Sequence, residues 1–311
     1  MTKPAAMQTD QLHRCGVVGA GAIGGNLAQW LAEAGMDVAV QDLDGGRVES
    51  LAAAGVTAAS SARELAERSQ VVLLALPDTP QVLACLDGED GLEAGLRSGT
   101  ALLLMGTVDP DTPVLLEQRL RPLGVDVLDA PVSGGPVAAR KGELAIMVGA
   151  SDAAFERCRP VLELMGHAVH VGGVGAGETT KLVNNLMGAV IAVGIAEGLA
   201  LAAKAGIDVE RAREAIAGGS GGSWILSEWL PRTVLSDPDA THFAIDLMCK
   251  DMRLVRELAE RLEVPLQAGA LAERTFAELR DAGDGGRDFS ILVKRRAEAA
   301  GASLDGGVSS A

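Results

Sequence analysis

Lys181 and Asn185 stand four residues apart in Gly175-Ala-Gly-Glu-Thr-Thr-Lys-Leu-Val-Asn-Asn185, which opens a long apolar run. On an α-helix that spacing puts both side chains on one face. An amine and an amide facing one way at a helix start suit a proton donor and the group that positions its substrate. Taken alone, such a lysine also suits a solvated first turn, where most lysines sit. Two other segments favour the chemical reading because they fit the same reaction.

The first is Gly19-Ala-Gly21-Ala22-Ile23-Gly24, a G-x-G-x-x-G sequence between a strand-like run and a helical pattern. Its first glycine permits a tight turn, its second lets the backbone approach a pyrophosphate, and its third lets helix and strand pack closely. The helix N-terminus, with Ala22 and Ile23 in the turn, then faces the phosphate charge. Asp42 follows at the end of the next strand-like run. A carboxylate there accepts hydrogen bonds from ribose hydroxyls and repels a 2′-phosphate, which favours NAD over NADP. Arg47 is the nearby cation. Leu76-Pro77 and Met105-Gly106-Thr107 close two further strand-like runs. Ligands of open α/β sheets bind beyond the carboxyl ends of strands, so Gln81 and Thr107 either meet the cofactor or supply ordinary loop polarity.

The second is Asp129-Ala-Pro-Val-Ser133-Gly134-Gly135-Pro136. Backbone N–H groups at a Gly-Gly turn form an anion-binding concavity, and Ser133 adds a hydroxyl, which suits a substrate carboxylate. A plain turn before Pro136 is the competing reading.

The elements that must hold these residues follow from apolar patterning. Strand-like runs occur at 14–20, 37–41, 71–76, 101–105, 125–130, 144–148 and 168–171, with helical stretches between them. This alternation predicts an α/β domain with a parallel sheet. The short link 132–143 allows one antiparallel strand. Gly35 is placed to end the first helix. Residues 178–206 read as one helix, apolar nearly all round and hence buried. From 208 to 298 every segment is helical in composition. The organisation expected is a disordered N-terminus (1–13), a dinucleotide-binding domain (14–177), a long helix leading an all-α substrate and dimerisation domain (178–300), and a disordered tail (301–311).

Composition bounds the function. The chain of 311 residues is 48% hydrophobic but only 2% aromatic, with no Tyr, so its core rests on Ala, Val, Leu and Ile. A net charge of −15 without a basic patch argues against nucleic acid as partner. Four scattered cysteines without C-x-x-C spacing read as free thiols in a reducing compartment. His167 and His170 would point to opposite faces of a strand, which disfavours a metal pair; no metal site is expected. The N-terminal residues carry no signal-peptide pattern. The apolar run 186–196 is too short to span a bilayer and Glu197 follows it. A cytoplasmic protein that engages no membrane is expected.

Four ordered blocks together resemble the β-hydroxyacid dehydrogenase family: Val18–Gly25, Asp129–Gly135, Gly175–Asn185 and Phe243-Ala-Ile-Asp-Leu-Met-Cys-Lys250-Asp251. They cover nearly the whole chain. The resemblance implies a Rossmann-like domain, an interdomain helix and an α-helical C-terminal domain that helps form a homodimer or homotetramer. It implies Lys181 as the catalytic residue and Ser133, Gly134, Gly135 and Asn185 as substrate holders. Leu76, Pro77, Gln81 and Thr107 would lie along the cofactor, with Lys250 closing over it. Ile23 and Gly106 stand where the family often has Met and Ser. The implied reaction is hydride transfer between a nicotinamide cofactor and a short 3-hydroxy acid, a small carboxylate. Lys181 would take or return the hydroxyl proton; its neutral form is favoured by burial beside a cationic ring. An imine reductase on the same architecture and a non-catalytic dinucleotide sensor are the alternatives. Lys181 argues against the first, and the intact Lys181, Asn185 and Ser133 against the second.

Overall fold

The structure, a computed structural model, describes residues 12–304. Short apolar runs form nine strands: β1 (Arg14–Val18), β2 (Asp37–Gln41), β3 (Thr57–Ala58), β4 (Val71–Leu74), β5 (Ala101–Leu104), β6 (Asp126–Asp129), β7 (Val132–Ser133), β8 (Leu144–Gly149) and β9 (Gly166–Gly172). They form one sheet in the order β3-β2-β1-β4-β5-β6-β8-β7, with β9 on β8. The first six run parallel, β8 is antiparallel to β6 and β7, and β9 is parallel to β8. The antiparallel strand allowed by the short 132–143 link is therefore β8. β3 and β7 escaped the sequence reading because two residues carry no periodic signal.

The helices are α1 (Gly24–Glu33), α2 (Gly45–Leu51), α3 (Ala62–Arg68), α4 (Thr79–Leu86), α5 (Leu92–Gly95), α6 (Asp111–Leu120), α7 (Gly135–Ala139), α8 (Asp152–Met165), α9 (Ala176–Lys204), α10 (Val209–Ala217), α11 (Ile245–Arg261), α12 (Gln267–Leu279) and α13 (Ile291–Ala299). Side-chain caps start several of them: Ser61, Asp78, Ser151 and Asp208 each accept a backbone N–H of the first turn. Gly35 follows α1 with φ +97°, as its placement in the sequence predicts.

The described residues pack as two units that divide between Lys181 and Leu182, within α9. In the first unit the sheet is buried on both faces, so its central strands are continuous apolar runs. Alternate residues serve opposite cores. Val17, Leu73, Leu103 and Leu128 join α1 and α8 on one face. Val18, Leu74, Leu104 and Val127 join α3, α4 and α6 on the other. The second unit gathers α9, α11, α12 and α13 around Leu182, Ala196, Met252, Phe276 and Phe289.

Two expectations are corrected. Helix α9 is not buried all round: Val183, Met187, Ile191 and Leu201 are 48%, 58%, 37% and 73% exposed. Apolar composition alone does not tell which face the second unit covers. Taken whole, α9 is also long and apolar enough to cross a membrane, although its run 186–196 is not; 39% of its most apolar stretch is buried inside the protein. At the chain ends, Leu12 packs on the first core and the His13 N–H donates to Gln70 Oε1 at 2.9 Å. Ala302 is buried and Leu304 packs on the second core, where disorder was expected from Gly301 onward. Residues 1–11 and 305–311 of the terminal segments lie outside the described residues.

Candidate active site

The strand order reverses direction between β1 and β4, the crevice where open α/β sheets take ligands. The glycine turn follows β1. Gly19 has φ +92°, and a Cβ there would lie 2.7 Å from the Ala75 carbonyl oxygen. A Cβ at Gly24 would collide with the Gly19 carbonyl oxygen, so α1 starts in backbone contact with the turn. Gly21 is different: its Cβ would meet nothing nearer than Arg47 at 4.0 Å, leaving that side open. Ala22 is exposed, and Ile23 packs partly against the core as the N-cap of α1.

Asp42 is held against this turn. Its Oδ2 accepts the Ala20 N–H at 2.6 Å and its Oδ1 the Asp44 N–H at 2.8 Å. The Arg47 guanidinium lies 3.8 Å from Asp42 and 3.4 Å from Asp44. An open glycine cradle at a helix start with a fixed carboxylate beside it fits a dinucleotide. Leu76 and Pro77 continue from β4. A Cβ at Gly106 would collide with the Leu76 carbonyl oxygen, so the loops after β4 and β5 touch through backbone. A serine there would force one of them to shift. Thr107 is half-buried in the second loop, and exposed Gln81 lies in the first turn of α4, its N–H capped by Asp78.

Beyond β6 comes the Ser133 loop. Gly134 and Gly135 have φ +125° and +72°, a consecutive left-handed pair that side chains disfavour. Asp129, fully buried at the end of β6, ties this strand to the start of α9 by accepting the N–H groups of Gly175 and Glu178. Burial pushes its carboxyl above the ordinary 3.8, and the backbone N–H bonds oppose that shift. Glu178, also buried, accepts the Val108 N–H at 3.2 Å, linking α9 to the loop after Thr107. Lys181 lies one turn further along α9 and is 8% exposed.

In the second unit Asn185, also 8% exposed, donates through Nδ2 to Asp251 Oδ2 at 2.6 Å and accepts at Oδ1 from Asn184 Nδ2 at 3.0 Å. Lys250 Nζ lies 2.8 Å from Asp251 Oδ1. Asp129, Glu178 and Asp251 received no role in the sequence reading; a carboxylate inside each motif was the available signal. The cysteines supply no nucleophile poised at neutral pH. Burial pushes the Cys15 thiol up to about 12 and those of Cys85 and Cys158 up to about 11. His170 stacks on Phe155 at 4.7 Å while His167 is exposed.

Comparison with known proteins bears on this arrangement. Residues 14–173 match the NAD-binding domain of 6-phosphogluconate dehydrogenase, and residues 175–295 match the NAD-binding model of NADP-dependent 3-hydroxyisobutyrate dehydrogenase. The 2-(hydroxymethyl)glutarate dehydrogenase of Eubacterium barkeri is 34% identical over 94% of this chain and 98% of its own. The chain belongs to the β-hydroxyacid dehydrogenase family. A crystal structure of 3-hydroxyisobutyrate dehydrogenase from Salmonella typhimurium superposes with a TM-score of 0.82 at 31% identity, covering 91% of this chain and 99% of that one. An imine reductase from Pseudomonas sp. shares the fold at a TM-score of 0.60 and 22% identity, over 91% of this chain and 99% of its own.

This β-hydroxyacid dehydrogenase is therefore an oxidoreductase that uses a nicotinamide cofactor and acts on a small carboxylate. Within its first unit the fold brings the glycine turn to Asp42, and the Ser133 strand to the start of the helix that carries Lys181. Asn185 and Lys250 meet at Asp251 in the second unit.

Proposed function

We propose that the chain interconverts a short 3-hydroxy acid and its semialdehyde, with Lys181 as the general acid/base. The observation that carries this reading is a buried amine and a buried amide one helical turn apart on α9, whose start is pinned by Asp129 to the strand leading into Ser133. A nicotinamide cofactor held at the glycine turn would supply the hydride acceptor for oxidation and the hydride donor for reduction. In oxidation neutral Lys181 takes the hydroxyl proton as the carbonyl forms; in reduction its ammonium gives that proton to the developing alkoxide. Asn185 orients the reacting oxygen or the carboxylate. Ser133 and the backbone of Gly134 and Gly135 hold the carboxylate, fixing the carbon at reacting distance.

Gly19, Gly21, Ala22, Ile23 and Gly24 would cradle the pyrophosphate of the cofactor, with Asp42 on the adenosine ribose. Leu76, Pro77, Gln81 and Thr107 would line it, and Lys250 would close over it. NAD is the preferred form, because the Asp42 carboxylate held beside the turn would repel a 2′-phosphate. Candidate substrates are 3-hydroxyisobutyrate, glycerate and tartronate semialdehyde, 3-hydroxypropionate and serine. The chain works as a cytoplasmic homodimer or homotetramer, and the exposed apolar stripe on α9 supports self-association.

The test is a panel of these acids with NAD⁺ or NADP⁺, followed by nicotinamide absorbance, with Lys181→Ala alongside. Turnover by the wild type and a loss of about 10²–10⁴-fold in kcat for the variant are expected. A variant with full kcat would remove Lys181 from the chemistry. No turnover of any pair, despite measurable NADH binding, would point to an imine substrate or a sensor.

A further inference from the structure

We infer that Asp251 is a positioning residue that sets which end of the Asn185 amide is presented to the substrate. The inference rests on the proposed role of Asn185. Asp251 is 1% exposed on α11, between the core residues Met248 and Met252 and Val255. A carboxylate in such a place carries a desolvation penalty that an apolar residue would not. What it gains there is specific. An ionised carboxylate only accepts hydrogen bonds, so the group facing its Oδ2 must be the Asn185 N–H; the flipped amide would set two acceptors against each other. Asn184 reinforces the same orientation by donating to Asn185 Oδ1. These bonds leave one Asn185 N–H and one Oδ1 lone pair to meet a ligand, in a fixed plane. The Lys250 ammonium, 2.8 Å from Asp251 Oδ1, supplies the opposite charge that a buried carboxylate requires.

The experiment is a double-mutant cycle of Asp251→Asn and Asn185→Ala. It is read in kcat/KM on the best substrate among 3-hydroxyisobutyrate, glycerate, 3-hydroxypropionate and serine. A second readout is NADH affinity without substrate, from tryptophan fluorescence. The amide introduced by Asp251→Asn keeps the volume of the carboxylate but can also donate, so both orientations of Asn185 become allowed. Asp251→Asn is expected to lower kcat/KM by about 10–100-fold in the wild-type background, the range for a hydrogen bond to a charged group. In the Asn185→Ala background it is expected to lower it by no more than about twofold, within the additivity error of independent sites. NADH affinity reads the other neighbour of Asp251, Lys250: a loss of NADH affinity that accounts for the whole fall in kcat/KM would show that Asp251 acts through Lys250 and not through Asn185, and would overturn the inference.

Losses that multiply in the double variant would show that Asp251 does not act through Asn185, and would overturn the inference alone. Asn185→Ala with full kcat/KM, or no turnover of any acid by the wild type, would overturn the underlying reading and the inference with it. If Asp251→Asn does not fold, Asp251→Ser, with room for water in place of the carboxylate, is put through the same cycle and judged by the same criteria.

Discussion

Asp129 and Gly175 are joined across 46 residues of sequence: the carboxylate of one accepts the N–H of the other at 2.7 Å, and its second oxygen accepts the Glu178 N–H at 2.8 Å. One buried side chain thus caps the helix of Lys181 and ends the strand that leads to Ser133. Gly149 and Gly177 make the arrangement possible, because a Cβ on either would collide with the backbone or carboxylate around Asp129.

This cap predicts a pH signature. The folded-state pKa of Asp129 is raised by burial, so the folded protein holds its proton more tightly than the unfolded chain. The associated stability is fully present below the ordinary carboxylate pKa and is lost as pH rises through the folded value. Asp129→Asn does not titrate. Urea unfolding of both proteins is expected to show the wild type losing stability relative to the variant as pH rises above about 4, the unfolded carboxylate range, and a constant difference once Asp129 is ionised. A difference that grows in favour of the wild type over that window would contradict the direction of the shift.

Asp42 governs cofactor choice in the proposed scheme. Its carboxylate is fixed by two backbone N–H groups, with Arg47 beside it. The wild type is expected to have the higher kcat/KM with NAD⁺. Asp42→Ser should cut that preference by about 10–100-fold, since a charge-assisted bond to the ribose is lost and Arg47 is freed to meet a phosphate. Steady-state kinetics with both cofactors measure the ratio; an unchanged ratio would remove Asp42 from ribose recognition.

Met187 is the test of self-association. It lies with Val183 and Ile191 on the exposed stripe of α9 and is 58% exposed. Met187→Lys places a charge at the centre of any apolar contact made there, and burying it unpaired is strongly unfavourable. Light scattering is expected to give a multiple of 31.8 kDa for the wild type and a smaller mass for the variant. A wild-type mass of one chain would end the oligomer proposal.

Much of this protein follows from local sequence. Strands β4 and β5 are runs of four apolar residues because both faces of a parallel sheet are covered, and that pattern needs no partner to be recognised. The glycine turn is equally legible: Gly19 takes the positive φ and Gly24 the Cβ-free packing that their places in the motif require, and Gly21 leaves one side of the turn open. The spacing of Lys181 and Asn185 puts them on one helix face whatever the helix packs against. Only the tertiary structure decided the rest, because it depends on which distant residues share a buried volume. Nothing local in α9 tells the face with Leu182 and Ala189 from the face with Val183 and Met187; both are apolar, and the second unit covers one. The partners of Asp129 and Asp251 are likewise invisible in sequence. A carboxylate in an apolar interior needs hydrogen-bond donors, and folding supplied them from segments 46 and 66 residues away.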